Sequence, residues 1–119
     1  MRFDTSRPIF LQIMEEVKRR VMRGDFKSGE RAPSVRELAK ILKVNPNTVA
    51  KAYYELEREG LLFTKRGQGT FITQDKRVLN RERERMVRGA IKKLLKELKG
   101  LGIDKDEIEG IIREEIWRL

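Results

Sequence analysis

Between Asn45 and Lys51 the chain reads N-P-N-T-V-A-K, a run of short amides, a hydroxyl and an ammonium opening a helical pattern. The chemistry such groups offer is recognition, not bond making. At a helix N-terminus, Asn47, Thr48 and Lys51 can reach base edges or phosphates, and the helix dipole adds attraction for phosphate. Asn45 is set to cap that helix, with Pro46 at its first position, where a missing N–H costs nothing. Upstream, S-V-R-E from Ser34 to Glu37 is a capping box that opens a shorter helix. It leaves Arg36 exposed between Val35 and Leu38, placed to clamp a phosphate or to read a guanine through two guanidinium nitrogens. Downstream, Lys65 and Arg66 precede Gly67-Gln68-Gly69-Thr70. The glycines permit close approach of backbone to another surface, and cations at such a tip suit the negative potential of a minor groove. The tip is not a phosphate-binding P-loop, since the Lys-Ser/Thr pair and the strand-to-helix context are missing.

Composition removes most other chemistry. The chain has no His and no Cys, so a Cys/His zinc site, a thiol nucleophile, a Ser-His-Asp triad and a disulfide framework are all excluded. Carboxylate pairs such as Glu114-Glu115 fall on an exposed helix face with no pocket implied. No catalytic activity, metal site or cofactor is therefore expected.

The recognition groups need a scaffold, and hydrophobic spacing supplies one. Ile9, Phe10, Ile13, Met14, Val17 and Val21 give one buried face to a helix from Pro8 to about Arg23, closed by Gly24. A turn-rich connector, GDFKSGERAP, leads to the helix of about residues 34–42 with Val35, Leu38, Ala39 and Leu42 inward. After a brief turn at Lys43-Val44, Val49, Ala52, Tyr53 and Leu56 form the inward face of a third helix, stopped at Gly60. This leaves Asn47, Thr48 and Lys51, with Ala50 and Tyr54, on or near its outer face. LLFTK-RGQG-TFITQ then reads as a hairpin around a four-residue turn. Three helices and a hairpin over residues 8–75 have the size and order of a winged helix-turn-helix. The second helix of the pair is the one that enters a major groove.

Residues 76–119 differ in character: two helical patterns and no strand-like run. The first, about 77–99, carries Met86, Val87, Ala90, Ile91, Leu94, Leu95 and Leu98 as a stripe. Asp104 with Glu107 caps the second, which carries Ile108, Ile111, Ile112, Ile116 and Leu119. Residues 76–99 hold ten basic and three acidic side chains, whereas residues 100–119 hold three and six. Two helices of opposite sign bury too little surface to form a ligand domain of their own. Pairing with the same element of a second chain would cover Val87, Ile91, Leu94 and Leu98 together with Ile108, Ile112 and Trp117. The expected division is thus residues 1–75 for DNA binding and 76–119 for dimerisation.

At 119 residues and a net charge of +9, the chain has room for one small domain with an appendage and favours a polyanionic partner. Hydrophobic and charged residues each make up 39%, enough for a core inside a heavily charged exterior. No apolar run approaches the roughly 20 residues of a membrane span. The opening MRFDTSRPIF lacks the apolar stretch of a secretory signal. A cytoplasmic protein is expected, with no membrane partner. Asn and Gln number three each against abundant Lys, Arg and Glu, a bias seen in thermophiles.

The stretch from Pro8 to Thr73, with P-I-F-L-Q-I, G-D-F-K-S-G-E-R-A-P-S-V-R-E-L-A, V-N-P-N-T-V-A-K-A-Y-Y-E-L-E-R-E-G and R-G-Q-G-T-F-I, resembles the DNA-binding domain of GntR-family bacterial transcription regulators. The match covers more than half the chain and is nearly gapless. What the resemblance implies is a dimeric winged helix-turn-helix that binds a short palindromic operator in double-stranded DNA. By position it implies DNA contacts from Ser34 and Arg36, from Asn45, Asn47, Thr48 and Lys51, and from Arg66, Gly67, Gln68, Gly69 and Thr70. Pro46 and Ala50 stand where the fatty-acid-responsive branch carries arginines, so that branch's operator does not transfer. The two-helix tail resembles the small YtrA-type subfamily, in which the pair serves chiefly dimerisation and the regulators often sit beside genes for ABC transporters. The expected function is a sequence-specific regulator, a repressor by preference, bound as a homodimer. The alternative is a nonspecific architectural DNA- or RNA-binding protein. No residue pattern names a small-molecule effector.

Overall fold

The helices that open after Ser34, Asn45 and Asp104 each begin at a capping side chain, whereas the first helix starts behind Pro8 with no side-chain cap. The structure, a computed structural model, describes residues 1–119. Its elements are α1 (Ile9–Met22), α2 (Val35–Leu42), α3 (Pro46–Arg58), β1 (Leu62–Lys65), β2 (Gly69–Ile72), α4 (Lys76–Gly100) and α5 (Lys105–Trp117). The fold is mainly α with one β-hairpin, a winged helix-turn-helix followed by two helices. Two compact units divide the chain, Met1–Arg83 and Glu84–Leu119.

In the first unit α3 is the central strut, packed against α1, α2 and β1. Ile13 and Val17 from α1, Leu38 from α2, Val49 and Leu56 from α3 and Ile72 from β2 meet in one core. Buried Gln12 is fully engaged with the segment before Pro8: its Oε1 accepts the Asp4 N–H at 2.7 Å, and its Nε2 donates to the Arg7 carbonyl at 3.1 Å. Tyr53 joins the two helices of the motif by donating from its hydroxyl to the Pro33 carbonyl at 2.6 Å. Burial, and more weakly the Glu37 charge, push its phenol well above the ordinary range.

The hairpin is antiparallel, with Leu62 opposite Ile72 and Lys65 opposite Gly69. The turn is one residue shorter than the sequence suggests, because Gly69 joins the ladder instead of the loop. The connector also adds a third edge: Arg31 bridges Phe71, Ala32 N–H donates to the Thr70 carbonyl at 2.8 Å, and Ile72 N–H donates to Glu30 at 2.9 Å. A bridge this short leaves no alternating pattern in the sequence.

The turn of the helix-turn-helix is held by Lys43 at φ 57°, a left-handed conformation in a non-glycine residue. Such a residue is strained against its own Cβ, whereas glycine gains that relief but loses more chain entropy on folding. Lys43→Gly is therefore expected to stabilise the fold by about 0.5–1 kcal/mol, read as a higher urea midpoint with unchanged slope.

The start of α4 belongs to the first unit. Asp75 caps it, accepting the Arg77 N–H at 2.9 Å. Leu79 packs on the core, and Glu82 is fully buried. The compact unit thus continues two turns past residue 75, where the composition changes. In the second unit Asp104 caps α5 by accepting the Glu107 N–H at 2.9 Å, and Gly102 turns the chain at φ 77°.

Candidate nucleic-acid interface

Each helix of the helix-turn-helix opens on a polar capping side chain, half-buried Ser34 and exposed Asn45. Ser34 Oγ accepts the Glu37 N–H at 3.1 Å, and the Ser34 N–H donates to Glu37 Oε1 at 3.0 Å. Accepting in this way leaves the Ser34 hydroxyl proton to face the Glu37 carboxyl, whose titration it lowers. Asn45 Oδ1 accepts the Asn47 N–H at 2.8 Å, and its amide NH2 group remains as a donor. Both residues start a helix, so each also stands at the positive end of a backbone dipole.

The Glu37 carboxyl is held below its ordinary value near 4.5, first by the Ser34 N–H, then by the Ser34 side chain, with the Arg31 charge adding to both. A depressed carboxyl contributes stability that is complete above its unfolded-state value and lost as pH falls through its folded value. Glu37→Gln removes the charge but keeps the side chain's length. The urea-midpoint gap between wild type and variant is expected to be constant above the ordinary carboxylate range and to close as pH falls through and below it. Glu16 and Asp75, also held low by arginine or backbone partners, titrate in both proteins and cancel in the difference.

Along α3, Val49, Ala52, Tyr53 and Leu56 are buried, while Asn47, Ala50, Lys51 and Tyr54 are exposed and Thr48 is half-buried. Arg36 is exposed on α2 and, with Lys40, Val44 and Pro46, lines a shallow cleft of about 370 Å3 beside the α3 N-terminus. Lys51 has a partner that sequence reading missed: its ammonium lies 4.0 Å above the Phe10 ring of α1. An exposed contact of this kind is worth about 0.5–1 kcal/mol and holds a long side chain near one position.

The wing presents Lys65, Arg66, Gly67 and Gln68 to solvent, with Gly69 and Thr70 half-buried. Gly67 at φ 77° makes the turn, and Gly69 at φ 119° lies so close to Arg31 that a Cβ there would be 2.7 Å from the guanidinium Nε. Gly69 is therefore required by its backbone conformation, while a Cβ there would oblige only the flexible Arg31 side chain to shift. Lys65 sits over a stacked aromatic pair, Phe63 and Phe71, with centroids 5.7 Å apart; its ammonium is 4.8 Å from the Phe71 centroid. Arg31 is a second residue not singled out from sequence, exposed beside Gly69 of the wing and close enough to Glu37 to affect its titration.

In the second unit the apolar stripe of α4 is open. Val87, Ile91 and Leu94 are 51%, 49% and 44% exposed, and Trp117 on α5 is 88% exposed. Leu98 and Ile112 are half-buried, and Ile108 is buried within its own chain. An open groove of about 890 Å3 runs between α4 and α5, floored by Leu95, Ile108 and Ile112 and edged by Lys92, Lys96 and Lys99. No three His, Cys, Asp or Glu residues gather to hold a metal, and no helix is long and apolar enough to cross a membrane.

The family model of bacterial regulatory proteins, gntR family, matches residues 10–72. Over 110 residues the chain is 41% identical to the uncharacterized HTH-type transcriptional regulator YhcF of Bacillus subtilis, covering 92% of this chain and 91% of that protein. It is 40% identical over 111 residues to the HTH-type transcriptional repressor YtrA of the same organism, covering 92% and 85%. Among solved structures, a GntR family transcriptional regulator from Listeria monocytogenes superimposes with a TM-score of 0.83 at 35% identity, covering 94% of this chain and 98% of that one. The AraR DNA-binding domain in complex with operator ORX1 gives 0.53 at 30% identity, covering 56% and 81%. With relatives matched over nearly their full length and the helix-turn-helix and wing in place, the chain belongs to the gntR family of bacterial regulatory proteins and is a DNA-binding transcriptional regulator.

Proposed function

We propose that two copies of this chain pair through α4 and α5 and repress transcription by occupying a palindromic operator. The observation that carries this reading is the division of α3 into one wholly buried face and one exposed face bearing Asn47, Ala50 and Lys51. Each α3 enters a major groove, with half-sites about 10 bp apart on one DNA face, and each wing lies along the adjoining minor groove. Arg36, Asn47 and Thr48 select sequence. Lys51, Lys65 and Arg66 supply affinity through phosphates, with Ser34, Asn45, Gln68, Thr70 and the backbone at Gly67 and Gly69 fixing the register. Pairing is supported by the uncovered stripe at Val87, Ile91 and Leu94 and by the opposite charges of α4 and α5. Repression follows the likeness to YtrA. The site of action is the cytoplasm.

The test is a mobility-shift assay on the protein's own promoter with excess scrambled duplex, joined to sedimentation of the complex. A complex of two chains per duplex that survives the competitor is expected. Equal loss to scrambled DNA would instead favour a nonspecific architectural protein. Within the site, Asn47→Ala is expected to relax discrimination at one base pair by about 1–3 kcal/mol. Lys65→Ala should weaken all duplexes alike and lower the salt slope by about one.

A further inference from the structure

The first unit contains a buried charge cluster that DNA contact does not use. Lys18 of α1 places its ammonium 2.8 Å from Glu59 Oε1 at the end of α3 and 3.1 Å from Glu82 Oε2 in the second turn of α4. Glu82 is 0% exposed, and Lys18 and Glu59 are largely covered. Arg81, next along α4, donates to the Glu59 carbonyl at 2.9 Å and lies 3.9 Å from Glu82 Oε1. One residue beyond Glu59, Gly60 turns at φ 81°, and a Val78 methyl sits 3.6 Å from where its Cβ would be. Three residues of the α4 root, Val78, Arg81 and Glu82, thus grip the last turn of the recognition helix.

A buried ion pair is a poor device for stability, since apolar side chains of similar volume in place of both partners often serve as well or better. What it adds is direction. A leucine tolerates sliding and rotation, whereas a buried carboxylate near the Lys18 ammonium and the Arg81 guanidinium keeps its charge compensated over a narrow range of helix settings. The two elements so fixed are α3, which meets the DNA, and α4, which runs without a break from Lys76 to Gly100.

We infer that the Lys18–Glu59–Glu82 cluster is a joint that sets the distance between half-sites the protein accepts, with Glu82 as a positioning residue. This rests on the two-copy operator reading above. The direction in which α4 leaves α3 is the first link between one recognition helix and the other, and half-site spacing is the geometric image of that link.

Selection of bound fragments from a randomised duplex library, using the full chain, tests the inference. Wild type should return paired half-sites at one dominant spacing, disfavouring neighbouring spacings by more than about fivefold. Glu82→Gln should return the same half-site sequence, with spacings one or two base pairs away recovered to within about fivefold of the best. A merely structural role would lower overall recovery and leave the spacing distribution unchanged. If Glu82→Gln does not fold by circular dichroism, Arg81→Ala at an exposed position takes its place and should broaden spacing in the same way. Unchanged single spacing in the folded variant overturns the joint while leaving the two-copy reading intact. Unpaired half-sites from wild type overturn both.

Discussion

Ile91→Glu combined with Leu94→Glu is expected to convert the protein to monomers and to lower operator affinity by about 10²–10⁴-fold. Both side chains are nearly half exposed on α4, so glutamate there meets water in the single chain and leaves its helix content unchanged. In a pair the same carboxylates would lie in an apolar seam, where an unpartnered charge costs several kcal/mol. The loss in affinity arises because the second half-site is then engaged from solution and no longer from a tethered partner. Sedimentation should give one species of single-chain mass, circular dichroism should overlay wild type, and binding to an isolated half-site should be unaltered. A variant that still sediments as a pair would move the interface off α4.

Leu56→Ala should have its large effect on the opposite quantity. Leu56 is completely buried where α3 meets the core, and truncation leaves a cavity costing about 2–5 kcal/mol. For a domain with a total stability of about 5–15 kcal/mol this is a large fraction. Urea unfolding should show a lower midpoint and the same slope, while affinity per folded molecule stays as in wild type. Asn47→Ala reverses the pattern, with stability kept and discrimination lost. The pair of variants separates the buried face of α3 from its exposed one.

The legible parts of this fold were those governed by neighbours in sequence. The capping box at Ser34 and Glu37, the Asn45-Pro46 helix start, the buried quartet of α3 and the Asp104 cap are all short-range patterns, and each is found where its residues predict. Contacts across long separations left no such trace. The Arg31–Phe71 bridge depends on a connector meeting a strand 40 residues later, and the Lys51–Phe10 contact on the crossing of α1 and α3. Glu82 shows the limit most clearly. In a run of alternating arginine and glutamate, N-R-E-R-E-R, nothing distinguishes the one carboxylate that is buried. The hairpin was legible in kind but not in register, because Gly69 is a turn former by type and a ladder residue by position.

Ser34 and Asn45 each hold up a helix and, on the reading proposed above, also contact DNA. On that reading, exchange at either position would weaken a helix start and a DNA contact together. Arg36, Asn47, Ala50 and Lys51 carry no capping duty. Duplicated copies of such a gene can therefore drift apart in the promoters they govern through those four sites, with the two helix starts held constant.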